Sequence, residues 1–241
     1  MTGSVRVSSV FVAGTDTGVG KTTVACGLAA ALAARGQRVG VFKPVETGCS
    51  RGPDAQWRGE DAARLAFFAD CDSPATDVCP YALPEPLAPA LAARRAGVRI
   101  DLDVLVAAHA RIAAAHDLTL VEGAGGLLVP LTDSLTFADL AVRLQLPVVL
   151  VVGSRLGAIN HALLTVRCIR ALGLRWLGYV INFFAPADDD LAARTNVDML
   201  NEWLGPPLGV VPYLGTVGST AVERERLATV FRDCLRLDVF R

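Results

Sequence analysis

Lys21 and Thr22 close the run Gly14-Thr15-Asp16-Thr17-Gly18-Val19-Gly20-Lys21-Thr22. Glycines and small residues followed by an ammonium and a hydroxyl suit polyphosphate. Glycine lets backbone N–H groups curl around phosphate oxygens. The lysine reaches the terminal phosphates, and the hydroxyl can ligate Mg²⁺. The spacing departs from the general phosphate-loop motif, because five residues rather than four separate Gly14 from Gly20. Lys43, in Lys43-Pro44-Val45-Glu46-Thr47-Gly48, offers a second ammonium for phosphate or a developing anion. Glu122, in Val121-Glu122-Gly123-Ala124-Gly125-Gly126, follows an apolar run. A carboxylate there is costly unless it meets a cation, which a Mg²⁺ at Thr22 would supply. Asp61 is a second candidate carboxylate, and its alternative role is a helix start favoured by the helix dipole. Gly157-Ala158-Ile159-Asn160-His161 opens a helix and makes a candidate carboxylate site, with Asn160 alternatively a simple cap.

These residues need elements to hold them at one edge. Apolar runs predict strands at Val10–Ala13, Val39–Phe42, Leu118–Val121, Val148–Val152, Leu177–Ile181 and Leu208–Val211. Several are apolar at nearly every position, as strands buried on both faces are. Helices are expected at Lys21–Arg35, about Asp61–Ala69, Asp101–Ala115, Phe137–Leu144, Ile159–Leu172 and Leu191–Leu204. Strands alternating with helices predict an α/β fold, a mostly parallel central sheet with helices on both faces. Ligands bind beyond the carboxyl ends of such strands, where every chemically rich segment lies. From Val45 to Pro89 the chain has little apolar periodicity and reads as a long functional loop.

The 241 residues fit a single domain spanning 1–241, with 52% hydrophobic residues to supply its core. A net charge of -1 without a basic run argues against nucleic acid. The six cysteines are scattered, with no C-x-x-C pair, and fit a reducing cytoplasm. The apolar stretch Val24–Ala34 is too short to span a bilayer, so no membrane association is expected. Asn182 ends a predicted strand where a nucleotide base often lies. The reading Asn182-Phe183-Phe184-Ala185 lacks the aspartate of guanine-specific proteins, so adenine is favoured. The turn Pro212-Tyr213-Leu214 is positioned to wall that base.

Taken together, the segments resemble the dethiobiotin synthetase family. The resemblance is carried by Gly14–Thr22, Lys43-Pro44-Val45 with Thr47-Gly48, Asp61, and Glu85-Pro86-Leu87-Ala88-Pro89. It continues through Val121–Gly126, Thr136-Phe137-Ala138-Asp139 and Gly157–His161, in the family's order. The loop spacing that departs from the general motif is the form this family uses. The chain departs from it at Ala90, where many members carry histidine, and at Gly18, where some carry glutamate.

The resemblance implies a P-loop NTPase fold of three layers and a cyclo-ligase reaction. 7,8-Diaminopelargonate, CO₂ and ATP would give dethiobiotin, ADP and phosphate. The implied catalytic residues are Lys21 and Lys43. ATP contacts are implied at Gly18, Val19, Gly20, Lys21, Thr22, Thr23, Asp61, Glu122, Gly123, Ala124, Gly125, Asn182, Pro212, Tyr213 and Leu214. Mg²⁺ would sit on Thr22, Asp61 and Glu122. Substrate contacts are implied at Thr17, Thr47, Gly157, Ala158, Ile159 and Asn160, the last four reaching the substrate of the partner subunit in a homodimer. A partition ATPase would carry a second lysine before Gly20, and residues 15–19 contain none.

Overall fold

The computed structural model describes residues 7–185 and 190–240. Six parallel strands form the central sheet in the order β10-β9-β8-β1-β7-β2. In chain order these are β1 (Ser9–Gly14), β2 (Val39–Phe42), β7 (Leu118–Gly126), β8 (Val148–Gly153), β9 (Trp176–Asn182) and β10 (Gly209–Val211). Their apolar runs split by alternation between two cores. Val10 and Val12 of β1 face one side, and Phe11 and Ala13 face the other. A strand buried on both faces alternates its side chains between two hydrophobic layers, which is why these runs are continuously apolar.

One core lies under α1 (Lys21–Ala33), α2 (Glu60–Ala69) and α9 (Ala221–Cys234), through Leu28, Leu65 and Phe231. The other lies under α5 (Leu102–Ala115), α6 (Phe137–Arg143), α7 (Ala158–Ala171) and α8 (Leu191–Leu204), through Ile112, Leu140, Ile169 and Leu200. Caps fix the helix starts. The Asp101 side chain accepts from Asp103 N, and Thr136 with Asp139 forms a capping box on α6. Such caps contribute about 1 kcal/mol each. Among the described residues no helix is long and apolar enough to cross a membrane.

Three expectations need correction. The segment from Val45 to Pro89 is not one loop. It holds β3 (Val45–Thr47), β4 (Ser50–Arg51), β5 (Trp57–Arg58), α2, α3 (Ala75–Val78) and β6 (Tyr81–Leu83), and Pro89 starts α4 (Pro89–Arg95). β3 pairs in parallel with β6, Val45 opposite Tyr81, so its order comes from contacts distant in sequence. β7 does not stop at Val121. Its glycine-rich tail continues to Gly126, opposite Gly14, so Glu122 to Gly125 lie within a strand. Asn160 is no helix cap, because Gly157 takes that place with φ of 91°. Left-handed backbone there favours glycine.

Candidate active site

β1 ends and α1 begins around the phosphate loop. Gly18 and Gly20 have φ of 74° and 86°, conformations that side chains resist. At Gly20 a Cβ would collide with the Asn182 amide nitrogen. That amide donates to Val19 O at 3.0 Å, so buried Asn182 braces the loop from beneath. Lys21 folds back and donates to Asp16 O at 2.9 Å. Burial, with Lys43 nearby, lowers its pKa to about 8.

The first charged cluster sits beside this loop. Lys43, 2% exposed, donates to Glu122 Oε1 at 2.5 Å and to Asp61 Oδ2 at 2.9 Å. Thr22 Oγ1 donates to the same Glu122 oxygen at 2.8 Å. Four predicted residues, from α1, α2, β7 and the chain just after β2, thus converge. Burial opposes the charge on Lys43, but the two carboxylates outweigh it and raise its pKa. Burial likewise opposes ionisation of Asp61, and Lys43 outweighs it to hold the carboxyl below its usual value. Glu122 Oε2 is buried without a partner. A buried ion pair of this kind fixes geometry more than it stabilises, because desolvation offsets much of the attraction. The unpartnered oxygen, Asp61 and the Thr22 hydroxyl form the all-oxygen donor set that hard cations take, so they fit a Mg²⁺ site.

A cavity of about 390 Å³ opens over the cluster. Thr17, Gly18, Gly20, Lys21, Thr22, Thr23, Lys43, Thr47, Asp61, Glu122, Ala124 and Gly125 line it. Val19 is buried behind the loop, and Gly123 packs within 3 Å of Phe11 where a Cβ would stand. Other predicted residues are elsewhere. Pro212 and Tyr213 are exposed, Leu214 is half-buried, and none lines this cavity. Gly157 and Asn160 are exposed at the start of α7, Ala158 is buried, and Ile159 is half-buried. That helix start is held from behind by Asn196, which donates to Arg155 O at 2.9 Å.

Two further residues belong to the site. Glu46, on β3, is buried, and its two oxygens accept from Asp61 N at 2.8 Å and Ala62 N at 2.9 Å. It caps α2 from a distance and so fixes where Asp61 points. The cap is tight, since a Cβ at Gly59 would collide with Glu46 Oε2. Burial pushes the Glu46 carboxyl up, against the two backbone N–H groups. No local signal marks this role, which depends on a partner 15 residues away. Arg64 also lines the cavity. It follows Asp61 by three residues on α2, a spacing that puts both on one helix face.

Curated relatives show which family the chain belongs to. An ATP-dependent dethiobiotin synthetase of Xanthomonas axonopodis pv. citri is 45% identical over 84% of this chain and 90% of its own length. Those of Xanthomonas euvesicatoria and Xanthomonas oryzae are each 44% identical, over 84% of this chain and 90% of their lengths. The AAA domain family matches residues 8–221. The chain belongs to the ATP-dependent dethiobiotin synthetase family, within the AAA domain family. It is accordingly a ligase of the P-loop NTPase class. The fold agrees with two Aquifex aeolicus structures, a MinC:MinD cell division protein complex and MinD alone. Their TM-scores are 0.53 and 0.51 at 14% identity, over 93% of this chain and 88% and 95% of theirs. At that identity the likeness is one of fold.

Proposed function

We propose that this chain, as one ligase domain spanning residues 1–241, closes the ureido ring of dethiobiotin from 7,8-diaminopelargonate, CO₂ and ATP, releasing ADP and phosphate. One amine of the substrate adds to CO₂ and loses a proton, giving a carbamate. A carbamate oxygen attacks the γ-phosphorus, and ADP leaves. The second amine then attacks the carbonyl carbon of the mixed anhydride and expels phosphate. Each step adds or moves negative charge near Lys21 and Lys43, and preorganised ammonium groups in a water-poor cavity stabilise such charge.

The observation that carries this reading is the meeting of Lys43, Glu122 and Asp61 with the phosphate-loop hydroxyl Thr22. A bare nucleotide switch has no need of a second buried lysine at that point. Lys21 is assigned to the phosphates and Lys43 to the carbamate and the transferred phosphoryl group. Thr17 and Thr47, at the cavity wall, are assigned to the carbamate end of the substrate. Thr22, Asp61 and Glu122 would hold Mg²⁺, which when bound screens charge on the β- and γ-phosphates. ATP contacts are assigned along Gly18–Thr23, at Asp61, along Glu122–Gly125, at Asn182 and at Pro212–Leu214. The working unit is a homodimer in the cytoplasm, with Gly157–Asn160 receiving the far carboxylate of the partner's substrate.

The test is substrate dependence of ATP turnover. Phosphate release should require diaminopelargonate and bicarbonate together, and dethiobiotin should accumulate in equal amount. ATP hydrolysis indifferent to both would reject the ligase reading.

A further inference from the structure

Arg64 stands apart among the charged side chains that line the phosphate-side cavity. Lys43 there is already committed to Asp61 and Glu122. Among the described residues Arg64 makes one hydrogen bond, from Nη2 to Val217 O at 3.3 Å, across to the segment that precedes α9. Its Nε is buried and has no partner among them. Guanidinium carries five N–H donors, so four remain uncommitted. A buried donor without a partner is costly and needs an explanation. The α2 spacing puts Arg64 on the same helix face as Asp61, and its charge acts on that carboxylate, lowering its pKa. It shares the cavity wall with Thr22 and Thr23, at the start of α1.

We propose that Arg64 is a nucleotide polyphosphate ligand, and that its hold on Val217 ties the segment before α9 to the occupied site. This rests on the ATP site proposed above and adds a contact to it. Guanidinium presents paired N–H groups to phosphate oxygens in a fixed fork, which an ammonium cannot copy. The Val217 contact fixes the side chain beforehand, so less rotamer freedom is lost when phosphate arrives.

The experiment is direct titration of purified protein with ATP, ADP and inorganic pyrophosphate, for the wild type, Arg64→Gln and Arg64→Lys, with thermal unfolding alongside. Arg64→Gln should weaken all three ligands by on the order of tenfold or more, as expected for losing a charge-assisted contact. Arg64→Lys should recover part of the loss for each. In turnover, KM for ATP should rise while KM for diaminopelargonate stays within about twofold. Unchanged dissociation constants in either folded variant, even with a lowered melting temperature, would reduce Arg64 to a structural tie and overturn the proposal. If Arg64→Gln fails to fold, Arg64→Lys decides: wild-type affinity overturns the proposal, and intermediate affinity supports it. Wild-type protein that binds nucleotide but ignores diaminopelargonate would sink the ligase reading and leave the titration to judge Arg64.

Discussion

The phosphate loop and the Gly157–Asn160 turn are both glycine-led helix starts, at the carboxyl ends of the paired strands β1 and β8. A helix start leaves first-turn backbone N–H groups outside the helical ladder, which is where anions bind. They differ in what surrounds them. Around the loop, side chains from α1, β3, α2 and β7, with Lys43 just after β2, close a cavity and set charge against charge. At α7 the turn is open, with Leu156 86% exposed and Gly157 and Asn160 also exposed. An exposed ion pair joins the two, Arg155 to Asp16 at 2.6 Å. A site assembled within one chain shows its chemistry in its own side chains. The open α7 turn offers no such convergence of side chains among the described residues.

The contrast breaks most visibly at Lys43. In Lys43→Met, ring formation should fall by on the order of 10²-fold or more. Stability should fall by about 3–5 kcal/mol, because Glu122 is left buried without its cation. Chemical denaturation beside an activity assay reads both. A variant that loses activity at unchanged stability would mean the ion pair is not maintained in solution.

The same kind of insult at α7 should separate activity from stability. Asn160→Phe should leave stability within about 0.5 kcal/mol, as exposed substitutions do. It should cut dethiobiotin formation by on the order of tenfold by crowding the partner's substrate. Co-expressed with Lys43→Met, it should give mixed dimers in which one site has an intact Lys43 and an intact partner helix. The purified mixed dimer should therefore be more active than either parent homodimer. Verified mixed dimers no more active than the Asn160→Phe homodimer would assign the whole substrate to one chain.

Within the closed site, Glu122→Gln and Asp61→Asn separate metal binding from packing. Each removes a charge and keeps the shape. The Mg²⁺ concentration for half-maximal activity should rise by at least on the order of tenfold, the size known for supporting groups of metal sites. An unchanged Mg²⁺ dependence in both would leave these carboxylates as partners of Lys43 only.

How much of this the sequence disclosed follows the same division. The β1 turn and α1 were legible because strand, glycines and Gly-Lys-Thr are adjacent. β2 was found at its observed bounds, Val39–Phe42, because a strand buried on both faces carries its own mark. Glu46 escaped because its meaning lies in α2, and β3 escaped because its partner β6 is distant. α9 was missed for another reason. Its face is largely polar, but Thr220-Ala221-Val222-Glu223 opens it with a capping-box pattern, and Thr220 accepts from Glu223 N. That signal was present in the sequence. The Lys43–Glu122 contact had only half a signal: each residue ends or interrupts an apolar run, and the pairing of β2 with β7 brings the runs together.

The smallest expected effect is one of pH, and it sharpens the difference between the phosphate loop and the α7 turn. Burial first, and then the neighbouring Lys43 charge, lower the Lys21 pKa to about 8, against the opposing charge of Glu122. Triphosphate favours the charged form, so nucleotide binding must raise that pKa. Below about pH 8 the lysine is already charged, and affinity should be level. Above it each binding event must take up a proton, and affinity should fall by up to about tenfold per pH unit. Phosphate oxygens are almost fully ionised across this window, so the nucleotide contributes little titration of its own. ATP affinity should therefore weaken by about tenfold between roughly pH 7 and pH 9. Calorimetry in buffers of different ionisation enthalpy should find proton uptake on ATP binding at the alkaline end and almost none at the neutral end. Lys21→Arg, charged throughout, should flatten the profile. Dethiobiotin affinity should stay level over the same window if its carboxylate is held by backbone N–H groups at the start of α7, which do not titrate. A pH profile that is flat for ATP in the wild type would mean that Lys21 is fully charged before nucleotide binds, and that the phosphate loop is wetter than its burial implies.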